Sequence, residues 1–281
     1  MRQKPRYITL PEMWDELTKD DWRELLKMRQ QMIDKQLALT LDDVRIETAR
    51  MMLKNRGVGL KLENKQYLVL VHQIADSLDW LWKAEEGGLS LVYRSTWNLL
   101  PKVRGWLGPM DHGADLTFGE FRQAITHLKA YEQSQNPVAL CALAGLLYRP
   151  AADGDQRNQG LLRQPYDWDS LDEKIMRGNR MERWQRWGIY AWFAYFCEYL
   201  TTEPFIIEGE QVCFAPLFQQ HEGSDKKEGR GSTMAQICLT LAESHVFGTA
   251  REVDRTPLLT VMQKLLQDYY TLLELKRKKK I

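Results

Sequence analysis

The segment Thr117-Phe118-Gly119-Glu120-Phe121 carries the clearest local signal in the chain. A threonine three residues ahead of a glutamate is the pattern of a capping box. The hydroxyl accepts from a first-turn N–H, and the carboxylate reaches back to the cap residue's own N–H. Phe121, Ile125, Leu128 and Tyr131 follow at spacings of three and four, which sets one apolar stripe along a helix. Asn136-Pro137 then restarts a helix, with Asn as the cap and Pro at the first helical position. That second segment, Val138 to Tyr148, is almost wholly apolar and is expected to be deeply buried. Two capped helices in succession, the second apolar on every side, make the protein mainly α.

The same reading extends in both directions. Tyr7-Ile8-Thr9-Leu10-Pro11 is a short extended lead-in. Thr18 caps a helix carrying Trp22, Leu25 and Leu26, with Asp20 and Asp21 in its first turn, where acidic groups favour the helix dipole. Thr40 with Asp43 starts a second, which Gly57 ends. A third is predicted over Lys65 to Ala84, with Leu68, Val71, His72, Ala75, Leu78 and Trp82 on one broad face and Gly87-Gly88 as its stop. Leu89 to Asp115, rich in glycine and proline, reads as a loop with a small hairpin around Leu91-Val92-Tyr93. C-terminal to the central pair, the polar stretch Ala151 to Asp169 marks a boundary or an exposed insertion, with Asp169 as a helix cap. An aromatic-rich helix from about Asn179 to Leu200 follows. Phe205-Ile206-Ile207 and Val212-Cys213-Phe214 flank Gly209 as a hairpin. Gln219 to Gly231 is a second polar loop, Ser232 or Thr233 opens a helix to about Ser244, and Thr256-Pro257 caps a last helix over Leu258 to Lys276. The expected architecture is a multi-helix, bundle-like array with at most two small β-hairpins. It divides into an N-terminal helical region, 1–150, and a C-terminal one, 151–281, or forms one continuous domain.

Composition removes several function classes. With 39 basic and 38 acidic residues the formal net charge is +1, without the basic excess that phosphate neutralisation needs, so a dedicated nucleic-acid binder is disfavoured. The most apolar run, Trp187 to Leu200, is too short to cross a bilayer and contains Glu198. No apolar leader follows the basic N-terminus, and a cytoplasmic protein with no membrane partner is expected. Cys141, Cys197, Cys213 and Cys238 form no CxxC pair, and His72, His112, His127, His221 and His245 form no HExxH arrangement. Asp111-His112 with Asp115 lies in a glycine-rich loop, where such residues commonly form turns. Asp153/Asp155 and Asp167/Asp169 lack the further oxygen ligands of a calcium loop. Gly57-Val58-Gly59 lacks a dinucleotide-fold context, and neither a P-loop nor a GxSxG elbow occurs. No catalytic, cofactor or metal site is therefore expected.

The ten tryptophans allow two assignments. Trp184, Trp187 and Trp192 on the aromatic helix, with Trp80 and Trp82, are either core or the face that recognises a partner. Two competing functions have their own structural requirements. An enzyme would need Asp111 and His112 gathered with another acid or histidine in a deep pocket. A nucleic-acid protein would need a basic face joining the Lys276–Lys280 tail to Arg177, Arg180, Arg183 and Arg186.

Several phrases occur together in order: Ile8-Thr9-Leu10-Pro11 with Trp14-Asp15-Glu16-Leu17-Thr18, Leu116-Thr117-Phe118-Gly119-Glu120-Phe121, Leu147-Tyr148-Arg149-Pro150, and His245-Val246-Phe247-Gly248 ahead of Thr256-Pro257-Leu258. The combination resembles uncharacterised all-helical proteins encoded in bacterial prophage and phage-like tail gene clusters. The resemblance implies a non-enzymatic role in assembling a phage tail or tail-like particle. The nearest analogy is a tail assembly chaperone, which shields the tape-measure protein; a minor structural tail protein fits the same context. The implied partners are other tail or particle assembly proteins, and the resemblance carries over no catalytic residue.

Overall fold

The computed structural model describes residues 8–35, 39–58, 65–85, 88–158, 160–167, 169–218, 241–244 and 246–278. Threonine caps organise its N-terminal part. Thr18 closes a capping box with Asp21 ahead of α1 (Lys19–Asp34), and Thr40 closes one with Asp43 ahead of α2 (Leu41–Asn55). Each cap is worth about 1 kcal/mol. Behind them, α1 buries Trp22, Leu25 and Leu26, and α2 buries Val44, Ala49, Met52 and Leu53. The Asp21 carboxylate does more than cap. It is buried and also accepts from Arg56 and Asn55, which ties the start of α1 to the end of α2.

The third helix is shorter than its periodicity predicts. α3 (Lys65–Ser77) stops well before Ala84, and β1 (Trp82–Glu85) pairs antiparallel with β2 (Gly88–Leu91). Short apolar runs suit helix and strand alike, and tertiary pairing decides between them. Here Trp82 faces Leu91 across the hairpin, and its indole N–H donates to Thr48 Oγ1 at 3.1 Å inside the core. The predicted broad face is corrected with it. Val71, Ala75, Leu78 and Trp82 are buried, while Leu68 and His72 face solvent.

A second hairpin joins β3 (Lys102–Val103) to β4 (Trp106–Leu107), and a third joins β5 (Pro204–Ile207) to β6 (Glu210–Cys213). Their two-residue turns, Arg104-Gly105 and Glu208-Gly209, hold positive φ at both positions, the conformation that matches strand twist.

The central helices are α4 (Phe118–Ser134) and α5 (Pro137–Leu147). Asn136 caps α5 as expected, its side chain accepting from Val138 N–H, and α5 is buried along most of its length. Two further helices precede the aromatic one: α6 (Gly154–Asn158) within the polar stretch and α7 (Leu171–Asn179) just after it. The cap of α7 is Ser170, in a box with Glu173; Asp169, the predicted cap, pairs with Arg177 instead. α7 lies against α5 with backbone touching backbone. A Cβ on Gly145 would overlap the Lys174 carbonyl, and one on Gly178 would overlap that of Cys141.

The aromatic helix α8 (Arg183–Thr202) supplies Trp192, Phe193 and Phe196 to the core, with Phe121 of α4 against both phenylalanines. Near the C-terminus, Thr249 caps α9 (Ala250–Arg255), and α10 (Leu258–Lys278) follows. One cluster of buried apolar side chains extends from Trp14 to Met262 and draws on both sides of position 150. The predicted loop at Gln219 to Gly231 and the start of the helix at Ser232 or Thr233 lie outside the described residues. No helix among the described residues is long and apolar enough to cross a membrane.

Candidate functional site

The most charged part of the interior surrounds Glu120. Thr117 caps α4 as the sequence predicts, its hydroxyl accepting from Glu120 N–H at 3.3 Å. The other half of the predicted capping box is absent. The Glu120 side chain turns inward, is fully buried, and accepts from Arg149 at 2.7 and 3.2 Å and from Arg163 at 3.0 and 3.4 Å. Asp115 completes the set by accepting from Arg163 Nε at 2.9 Å.

The end of α5 explains why arginines gather there. A helix C-terminus leaves its last carbonyls without intrahelical partners and carries partial negative charge. The end of α5 is buried, so water cannot satisfy them. Arg177 donates to Gly145 O at 2.6 Å, Arg149 to Leu146 O at 2.7 Å and Arg163 to Leu147 O at 2.6 Å. Three guanidiniums thus replace a solvent cap, and Glu120, Asp115 and Asp169 balance their charge.

Burial alone would raise the Glu120 carboxyl, but the Arg149 and Arg163 guanidiniums outweigh it and hold the group below the ordinary value of 4.5. For Asp21, too, burial raises and the bonds from Arg56, Asn55 and Thr18 lower; the net position is below the ordinary 3.8. A depressed folded-state value contributes stability that is present above the unfolded value and lost as pH falls through the folded one. Urea midpoints are therefore expected to drop as pH falls below 4.5 and further below 3.8. A midpoint unchanged across that window would contradict these assignments.

Alongside this network lies a groove of about 790 Å³. Its walls come from separated parts of the chain: Met110 with Ala114 to Thr117, Arg149, residues between Asp153 and Asp167, and Arg255 with Pro257. Apolar Met110, Leu161, Leu162, Pro165 and Pro257 share it with the carboxylates of Asp153, Asp155 and Asp167. One buried donor there, the Gln156 side-chain N–H2, has no partner among the described residues, and neither has the buried Oδ1 of Asp167. The polar stretch read as a boundary or insertion is thus a wall of this groove, held to the body by buried Arg163 and Tyr166.

The structure separates the five tryptophans proposed to meet a partner. Trp82 and Trp192 are inside the core, Trp192 donating to Thr96 O at 3.1 Å and stacking on Phe196. Trp80, Trp184 and Trp187 are half-buried at its margin. Arg29 lies 3.7 Å from the centre of the Trp187 ring and Lys27 5.8 Å from that of Trp184. Burial lowers the Arg29 guanidinium to about 10, only partly offset by Tyr131 and Tyr190. These rings are therefore engaged within the chain, by the core on one side and by cations over two of them.

The other residues weighed in the sequence have ordinary structural partners. Asp111 accepts from Asn98 N–H, His112 Nδ1 is 2.6 Å from Thr96 Oγ1, and His112 meets the edge of Trp97. His112 does not line the groove. Arg177 turns inward, Arg183 pairs with Asp34, and Arg186 donates to the Cys141 sulfur. Cys141, Cys197 and Cys213 are free thiols, and burial pushes the Cys197 thiol up; Cys238, His221 and His245 lie outside the described residues. Among the described residues no group of three or more His, Cys, Asp or Glu is placed to hold a metal ion. Comparison with protein-family models, curated proteins and solved structures finds no match to this chain.

Proposed function

We propose that this is a non-enzymatic interaction protein that acts in the cytoplasm in assembling a phage tail or tail-like particle, where it chaperones the tape-measure protein. The tail context rests on the resemblance of its phrases to prophage tail-cluster proteins; the binding role has its own physical argument in α3. On its inner side Tyr67, Val71, Ile74 and Ala75 are buried. Val69 on the opposite side is 57% exposed, and Leu68 and Leu70, which flank the buried side, are 36% and 40% exposed. A helix apolar on all sides is normally covered on all sides. Three consecutive exposed apolar residues give α3 a surface suited to an apolar stripe on a partner helix.

Co-expression with the tape-measure protein of the same gene cluster, followed by affinity capture under native conditions, tests this reading. The two proteins are expected to co-purify. Capture of the chain without any tail protein overturns it.

A further inference from the structure

We infer that the groove beside Glu120 is a docking site for the C-terminal end of α10 from a second copy of the chain, making a head-to-tail contact. The inference stands on the groove and the helix alone and is independent of the tail-assembly reading.

The helix supplies one half. Its first turns are anchored by buried Leu258, Val261 and Met262. The apolar positions then continue through half-buried Leu265 and Tyr269 to exposed Leu272 at the spacing of a helix seam, so the stripe outlasts the cover that the body gives it. Leu272 is 58% exposed and Leu275 51%. Lys276, Arg277 and Lys278 follow, with no ion-pair partner among the described residues.

The groove supplies the complementary half. Leu162 and Met110 are exposed at its rim and offer apolar contact. Asp153 and Asp155 are exposed carboxylates that make no ion pair among the described residues, whereas Asp167 is already paired with Arg251 and with Arg255 of the groove wall, which leaves the first two to meet a docked cation. The Gln156 N–H2, without a partner among the described residues and in a residue more than nine-tenths buried, is a donor for a backbone carbonyl of the docked segment. Apolar side chains followed by cations therefore meet apolar side chains flanked by carboxylates.

A chain cannot fill its own groove in this way. α10 begins at Leu258, next to Pro257 on the groove wall, and runs away from it for 21 residues. At a rise of about 1.5 Å per residue its far end lies about 30 Å off. The occupant is the tail of another copy. Such a contact is heterologous: each copy offers one tail and one groove, so association propagates into a ring or a string.

Two variants of the full chain and their mixture test this. Asp155→Lys with Leu162→Lys alters only exposed groove positions, and Leu272→Asp with Leu275→Asp alters only exposed tail positions. Both are first checked for wild-type helix content and melting. In sedimentation velocity the wild type is expected to grow with concentration, and each variant to lose that growth. An equimolar mixture is expected to recover a one-to-one pair, because one variant keeps its tail and the other its groove. A wild type that stays monomeric at its highest attainable concentration overturns the inference. So does either variant associating like wild type, or a mixture that remains monomeric.

Discussion

Glu120→Ala is expected to destabilise the protein by about 3–5 kcal/mol, because it strands buried Arg149 without a counter-charge and leaves buried Arg163 with Asp115 alone. Arg149 and Arg163 are both buried, and both spend other N–H groups on the end of α5, so neither can swing out to water without uncapping that helix. At roughly 2–4 °C per kcal/mol for a chain of about this size, the melting temperature should fall by about 10 °C. The neighbouring cap provides the internal control. Thr117→Ala removes one hydrogen bond at a helix start and should destabilise by only about 1 kcal/mol. Were Glu120 the second half of a capping box, the two substitutions would have similar effects. Chemical denaturation of both variants separates the cases: a large difference fits a buried counter-ion, and equal small losses would refute it.

The second large effect belongs to the seam between α5 and α7. Alanine at position 178 brings opposing contributions. Helix propensity favours it over glycine by about 1 kcal/mol. Against that, its Cβ would overlap the Cys141 carbonyl, a backbone atom that moves only if the helices part. Overpacking of this kind costs about 1–3 kcal/mol and sometimes more, and separating the helices also lengthens the Arg177 bond to Gly145 O. Gly178→Ala is therefore expected to destabilise by about 2 kcal/mol net. Gly145→Ala should do the same against Lys174, and the double variant should fall short of the sum, since the helices part only once. Full additivity, or stabilisation by either alanine, would show that the seam is not close-packed.

These two sites also show where the sequence is legible. Caps are local, so Thr18, Thr40, Thr117 and Asn136 are readable from a few residues and all accept where expected. The role of Glu120 is not local. Its partners lie 29 and 43 residues further along, and the capping pattern that marks the position gives the opposite direction for its side chain. The one available clue was Arg149-Pro150 just past an apolar helix, a cation where orphan carbonyls collect. For α7 the sequence reading offers only a start, at Asp169, one residue ahead of the true cap; its extent and its glycine contact escape because a helix of nine residues offers little periodicity, and close approach depends on which helix lies opposite.

The candidate surfaces follow the same division. Tryptophan content is visible in the sequence, yet Trp82 and Trp192 differ from Trp80, Trp184 and Trp187 only through packing. Leu68 has the spacing of a core residue, but the helix is rotated so that Val71 and Ala75 take the core and Leu68 stands outside with Val69 and Leu70. The groove could not be read at all from local patterns, because its walls meet only after folding.

The outer face of α3 is where the binding account stands or falls. In co-expression with the tape-measure protein, the Val69→Asp variant should keep wild-type helix content and melting, because that side chain is 57% exposed. It should also lose capture of the partner that the wild-type chain retains. A variant that folds normally and still captures that partner at the wild-type level would contradict the account.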